Sequence, residues 1–276
     1  MKVRITAAII LTAAAVSLTG CSASGGGSAE TPGASGSAAS DDSLTAVQDS
    51  GVLTIGTEGT YRPFSFHEGG SGALTGYDVE VVTAVAEELG VEPKFKETQW
   101  DAIFAGLQAG RFDVIANQVA ITPERVDKYT FSAPYTYSNG VIVVPSDDTS
   151  ISSFADLAGK TTAQSLTSNW YNLAKESGAK IQAVEGWAQS VALVEQGRVD
   201  ATVNDELTFL DYKAQTGAEG LKVAAETDEQ AETAFAFAEG STALADAVDA
   251  ALADLRADGT LAKISEKYFG EDVTEK

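Results

Sequence analysis

The chain has little sulfur, imidazole or positive charge. A single cysteine among 276 residues, Cys21, excludes a disulfide within the chain and a cysteine metal cluster. The one histidine, His67, lies in the loop sequence HEGGSGAL, where a lone imidazole is ordinarily a surface residue. It gives no basis for a Ser–His–Asp arrangement, and Cys21 sits in a Ser/Gly/Ala tract unsuited to a nucleophile. Neither GxxxxGK[ST] nor GxGxxG occurs at a strand–helix turn, so no phosphate cradle is indicated. Carboxylates abound, yet no spacing singles out an acid/base pair. Lys and Arg number 18 against 40 Asp and Glu, a net charge of −22, and there is no basic stripe for nucleic-acid phosphates. These absences predict a protein that is not an enzyme, holds no metal or cofactor and binds no nucleic acid. The acidity itself reads as a solubilising surface or as a site that favours cations. With 44% hydrophobic and 21% charged residues, the chain suits a soluble fold of one or two domains.

Long apolar runs are also scarce. Ile5–Val16, preceded by Lys2 and Arg4, is too short to span a bilayer permanently and reads as part of an export signal over residues 1–20. The next residues, LTGC (Leu18–Cys21), resemble the bacterial lipobox. That resemblance implies a lipid on Cys21, removal of 1–20, and attachment to the outer face of the cell membrane or in the periplasm. Residues 21–43 are then the lipidated cysteine and a flexible Ser/Gly/Ala tether, with folded sequence from Leu44.

The remainder alternates short apolar strands with amphipathic helices. VLTIGTE (52–58) reads as a buried strand, and DVEVVTAVAEELG (78–90) as a helix with Val79, Val82, Ala86 and Leu89 on one face. EPKFKE, WDAIFAGLQAG and FDVIANQ continue as strand, helix, strand. A second such unit starts at VIVVP (141–145) and runs through DATVND and ELTFLDYKAQTG; two helices, 241–257 and 260–268, close the chain. The pattern predicts two α/β units with mostly parallel sheets, flanked by helices and separated by a cleft. Ligand crevices in such sheets lie beyond the carboxyl ends of the strands, here Glu58, Gln118, Gln164 and Asp205.

Around those ends lie residues suited to binding. Tyr61 and Trp100 each follow a strand end and can wall a ligand or face a cation, whereas Phe64 and Phe66 alternate like core residues. Arg125, in TPER, follows the cap position Thr122 and Pro123 at a helix start. Read locally, Arg125 is a solvated first-turn residue, and Asp205 is equally an N-cap for the next helix. Taken together, a cation in one unit and an anion in the other suit a zwitterion.

GTEGTYRPFSF, LTGYDVEVVTAVAEELG, WDAIFAGLQAGRFDVIANQVAITPER, QGRVDATVND and LRADGTLAKISEKYFG, in this order, resemble the family 3 extracellular solute-binding proteins, the receptors of ATP-driven polar amino-acid importers. The resemblance implies a periplasmic-binding-protein-like fold of two lobes, 44–135 with 234–276 and 140–230, with hinge crossovers near 135–139 and 230–234. It implies that Arg125 pairs with a ligand α-carboxylate and Asp205 with its α-ammonium. Tyr61 and Trp100 would sandwich the side chain, and Glu58 would occupy an acidic or polar pocket position. Backbone around Gln118, with Thr167 and Ser168, would complete the carboxylate cradle. Ala120 departs from the family pattern, which has Thr or Ser there. ANQVAITPER, LTSNWYNLAKESGAKI and VNDELTFLDYK are most similar to the cystine-binding branch, and Glu58 with Asp205 would suit cystine's two ammonium groups. Arg62 reads as a solvated loop residue. Glutamine, arginine, lysine or histidine remain alternative ligands, and a dehydratase-like enzyme on the same scaffold is the alternative of another class. The implied receptor is monomeric, closes about its hinges and docks on a membrane permease.

Overall fold

The computed structural model describes residues 41–276. The export signal, Cys21 and nearly all of the tether lie outside the described residues. Asp41 and Ser43 already belong to the fold, since they accept hydrogen bonds from the backbone N–H groups of Ala243 and Leu244.

The first lobe opens with α1 (Ser43–Ser50) and β1 (Val52–Thr57). A small antiparallel excursion follows, β2 (Thr60–Tyr61), β3 (Ser65–His67) and β4 (Leu74–Thr75), then α2 (Tyr77–Glu88), β5 (Glu92–Glu97), α3 (Trp100–Gln108), β6 (Val114–Ala120), α4 (Pro123–Val126), β7 (Tyr129–Phe131) and β8 (Thr136–Ser138). The second lobe contains β9 (Gly140–Pro145), a 3₁₀ turn at Phe154–Leu157, β10 (Thr161–Gln164), α5 (Asn169–Glu176), β11 (Lys180–Ala183), α6 (Gly186–Glu195), β12 (Thr202–Asp205), α7 (Glu206–Thr216) and β13 (Leu221–Glu226). The chain then returns through β14 (Ala231–Ala238) to α8 (Thr242–Ala257) and α9 (Thr260–Phe269). These last helices pack on α2, and Leu244, Val248, Leu252 and Leu261 share a core with Val81, Val85 and Ile55.

The sheets are mixed. The first-lobe order is β5-β1-β6-β14-β7, parallel from β5 to β6 and antiparallel around β14, with β8 also pairing β14. In the second lobe β10-β11 is parallel, while β12-β9-β13 is antiparallel throughout. The antiparallel pairs involve the strands next to the crossings. A strand that re-enters its first sheet from the other lobe runs against the strands that βαβ connections made parallel.

The two crossings touch. Thr227 N–H donates to Gly140 O at 2.8 Å, Gly140 N–H donates to Thr227 Oγ1 at 3.0 Å, and Asn139 Nδ2 donates to Thr227 O at 2.6 Å. A side chain at Gly140 has no room, because a Cβ would lie 2.3 Å from the Trp170 ring.

The lobes are closed on one another. Tyr61 Oη donates to Asn204 Oδ1 at 3.2 Å and accepts from Thr208 Oγ1 at 3.1 Å. Arg62 is not simply solvated: its Nε is 3.3 Å from Asp211 Oδ2, and its guanidinium lies over the Phe66 ring at 3.8 Å. His67 is the expected peripheral residue, pairing with Glu97 at 2.9 Å.

Candidate functional site

Closure leaves a partly open pocket between the lobes. The first lobe contributes Glu58, Tyr61, Trp100, Asn117 and Gln118; the second contributes Gln164, Ser165, Ser168, Trp187, Ser190 and Asn204, among others. Five of the residues expected from sequence thus share one wall system: Glu58, Tyr61, Trp100, Gln118 and Ser168.

Glu58 follows directly on β1 and is fixed by a residue that the sequence did not single out. Asn117 Oδ1 accepts from Thr57 Oγ1 at 3.0 Å, Glu58 N–H at 2.8 Å and Ser65 Oγ at 3.2 Å, while its Nδ2 donates to Glu58 Oε2 at 2.8 Å. Burial pushes the Glu58 carboxyl up to about 7 against that hydrogen bond, and the charges of Glu185 and Asp101 push the same way. Trp100 is 7% exposed and opens α3; its indole N–H is buried without a hydrogen-bond partner. Gln164, at the end of β10 and 2% exposed, has a side-chain nitrogen in the same condition.

Gln118 lines the cavity but does not cradle a carboxylate with its N–H, as expected from sequence. Its backbone N–H and its Nε2 both donate to the buried Asp78 carboxylate at 2.7 Å, and its Oε1 accepts from Thr233 Oγ1 at 2.9 Å. These bonds hold it at φ 50°, the one left-handed non-glycine residue among those described. Burial raises Asp78 to about 6, since the acid has hydrogen-bond donors but no cation beside it.

Four expected residues lie off the main cavity: Ala120, Arg125, Thr167 and Asp205. Arg125 is 8% exposed, not solvated. Its Nη1 donates to Ala120 O at 2.8 Å and its Nη2 to Thr167 O at 3.1 Å, and the guanidinium lies 5.5 Å and 5.1 Å from the Trp100 and Phe104 rings. It faces an adjoining hollow that includes Tyr129 and Thr167, and Asn169 lines both spaces. No carboxylate lies within ion-pair distance of Arg125 among the described residues, and burial lowers the guanidinium to about 10. Thr122 takes the N-cap position of α4 without a side-chain cap bond. What Ala120 supplies is its carbonyl, which positions Arg125.

The second-lobe donors are also engaged. Thr167 N–H and Oγ1 donate to Asp101 Oδ1 at 3.2 and 2.7 Å, so a first-lobe carboxylate occupies the grip expected for a ligand. Ser168 Oγ accepts from Tyr171 N–H at 3.0 Å and caps α5.

Asp205 is 2% exposed and does act as the N-cap of α7, accepting from Leu207 N–H at 2.9 Å. Its other oxygen accepts from Ser138 Oγ on β8. Among the described residues no cation pairs with it. Burial raises it to about 7, outweighing both hydrogen bonds, and the charges of Glu206 and Asp78 add to the rise.

The sequence model described as bacterial extracellular solute-binding proteins, family 3, matches residues 53–271. The L-cystine-binding protein TcyA of Bacillus subtilis is 52% identical over 233 residues, 84% of this chain and 87% of that protein. A probable amino-acid ABC transporter-binding protein of Haemophilus influenzae is 54% identical over 229 residues, 83% of this chain and 89% of its own length. Among solved structures, the L-cystine solute receptor of Neisseria gonorrhoeae in its unliganded open conformation is 47% identical with a TM-score of 0.58, covering 84% of this chain and 99% of that one. An ancestral arginine-binding protein bound to arginine is only 35% identical yet superposes better, at 0.75, covering 80% and 99%. The better fit to the ligand-bound structure despite lower identity agrees with the cross-lobe contacts of a closed arrangement. On this match and these identities, the chain belongs to the bacterial extracellular solute-binding proteins, family 3.

Proposed function

We propose that this receptor captures a polar amino acid, cystine foremost, by closing its lobes and delivers it to an ABC permease. One observation carries the reading. Arg125 and Asp205 are buried charges of opposite sign, one from each lobe, and neither has a counter-ion among the described residues. Buried charges are retained where a partner completes them, and an α-amino acid brings both a carboxylate for Arg125 and an ammonium for Asp205. The ligand carboxylate would replace Thr167 O on Arg125 and Asp101 on Thr167. Tyr61 and Trp100 flank the side chain, and Glu58 lies beside it.

The names of the relatives support cystine as cargo and an ABC importer as partner. Ligand contacts to both lobes favour the closed state by their differential affinity for it. The lipobox supports attachment through a lipid on Cys21, outside the cytoplasm, and the receptor is proposed to act as a monomer. A thermal-shift screen of the twenty amino acids plus cystine tests the reading, because a tight ligand raises apparent stability by mass action. Cystine is expected to give the largest shift. A large shift with glutamine or arginine and none with cystine refutes the cargo; no shift with any of them refutes amino-acid capture.

A further inference from the structure

We propose that Asp78 is a positioning residue for capture: through Gln118 it brackets the two crossings between the lobes, and through the first crossing it sets the direction of the Asp205 carboxylate. The inference rests on the amino-acid capture proposed above, in which Asp205 receives the ligand ammonium. Asp78 lies behind the site and acts only through other residues.

The bracket joins four buried residues from four elements: Asp78 in the first turn of α2, Gln118 on β6, Thr136 on β8 and Thr233 on β14. Both Asp78 oxygens serve Gln118, Oδ2 accepting from its backbone N–H and Oδ1 from its Nε2. The two bonds fix the left-handed backbone and the direction of the amide together. That amide then reaches two strands at once. Its Nε2 also donates to Thr136 Oγ1 at 3.2 Å, and its Oε1 accepts from Thr233 Oγ1. Thr136 and Thr233 stand directly opposite one another in the antiparallel β8–β14 pair. β8 runs into the first crossing at Asn139, and β14 follows the second. One side chain therefore pins both crossings to the first lobe at the point where they pair.

β8 carries the effect across the hinge. Thr136 and Ser138 are two residues apart, so their side chains share one face of the strand, and both are buried while Tyr137 between them is not. Ser138 Oγ donates to Asp205 at the end of β12 in the second lobe. One hydroxyl of β8 is thus held by the Asp78–Gln118 pair, and the next one holds the ammonium anchor.

The acid is an expensive way to hold an amide. No cation pairs with Asp78 among the described residues. The titratable groups around it are Tyr77 on its own helix, Tyr135 at the entry to β8, Tyr61 on β2 and Asp205 across the hinge; each is raised by burial and further by the Asp78 charge. With Asp78 itself raised to about 6, its charge weakens the fold above that pH. A destabilising charge and a left-handed non-glycine residue persist together where the surroundings over-determine them, and such strain clusters at clamps and switches.

Calorimetry on the purified full chain tests this, with L-cystine as probe or, in its place, the amino acid that gives the largest thermal shift. Asp78→Asn keeps the shape but offers one acceptor where two are needed, and no charge. At pH 8 it should bind about tenfold more weakly than the wild type, the loss of a buried charge-assisted hydrogen bond. The affinity ratio of the two proteins should approach one below about pH 5, where Asp78 of the wild type is itself protonated. Asp205 and Glu58 titrate in both proteins and drop out of that ratio, whereas a residue that only shapes the core gives a ratio independent of pH. A second variant keeps the charge. Thr136→Val with Thr233→Val retains both β-branched shapes, leaves Asp78 on Gln118, and should weaken binding by about threefold or more. It decides the matter alone if Asp78→Asn does not fold. A ratio that does not change with pH, or a threonine variant that binds like the wild type, overturns the bracket while amino-acid capture stands. A wild type that binds no amino acid overturns both.

Discussion

Replacing Asp205 by Asn should make the protein more stable at neutral pH and a poorer receptor at the same time. The buried Asp205 carboxyl is raised from 3.8 to about 7, so the folded chain holds its proton more tightly than the unfolded chain does. For an acid raised on folding, stability is fully present below the unfolded value and is lost as pH rises through the folded one. The loss falls here between about pH 4 and pH 7, and a rise of this size corresponds to on the order of 4 kcal/mol at full effect. Asn keeps an oxygen for Leu207 N–H, so the α7 cap survives, and its amide can donate to Ser138 Oγ; it does not titrate. Urea unfolding of both proteins without ligand should therefore show the variant gaining on the wild type by on the order of 2–4 kcal/mol between about pH 5 and pH 8. Asp78 and Glu58 titrate in both proteins, so the difference between the two profiles is the quantity to read. Parallel profiles would refute the claim that burial without a cation governs this carboxylate. The ligand arm is separate: affinity should fall in Asp205→Asn, and full retention would move the ammonium anchor to Glu58.

Other outcomes follow from the same site. Arg125→Ala should weaken binding by about a hundredfold or more, since a ligand carboxylate is left unpaired in a closed cleft; unchanged affinity by calorimetry would reject the anchor. Ligand affinity should rise as pH increases through about 7, where Glu58 and Asp205 both ionise, and Glu58→Gln should remove only the Glu58 share of that rise. Gly140→Ala forces a Cβ into the Trp170 ring and should lower stability by about 1–3 kcal/mol in urea unfolding. Ligand recovered after prolonged incubation should be chemically unchanged; turnover would revive the dehydratase alternative.

Much of the fold was legible because its long elements carry their period in the residues. α2 buries Val79, Val82 and Ala86 at helical spacing, and β1, β6 and β9 are short apolar runs bounded by turn residues. The β2–β3–β4 excursion was not legible, as strands of two or three residues have no period to read. Strand direction in the mixed sheets was hidden for another reason: it depends on which lobe a strand comes from, and nothing local records that. At the site, position at or after strand ends was enough to pick out Glu58, Tyr61, Trp100 and Asp205, whereas Gln118, read as a strand end, lies two residues inside β6. Asn117 escaped because β6 is buried along its whole length, so no alternation shows which side chain turns towards Glu58, 59 positions earlier. The polar pair Asn117–Gln118 interrupting an otherwise apolar strand was the available signal.

The Asp101–Thr167 contact changes what closure reports. If Thr167 grips the cargo as proposed, the receptor shuts with its own acid seated there. Capture is then an exchange of one carboxylate for another, and the ligand's advantage is only the margin by which it outperforms the resident surrogate. Closed shape alone would be an ambiguous message to a transporter. Removing the surrogate, as in Asp101→Ala, should open the empty receptor, widening the contrast between vacant and loaded forms in solution scattering.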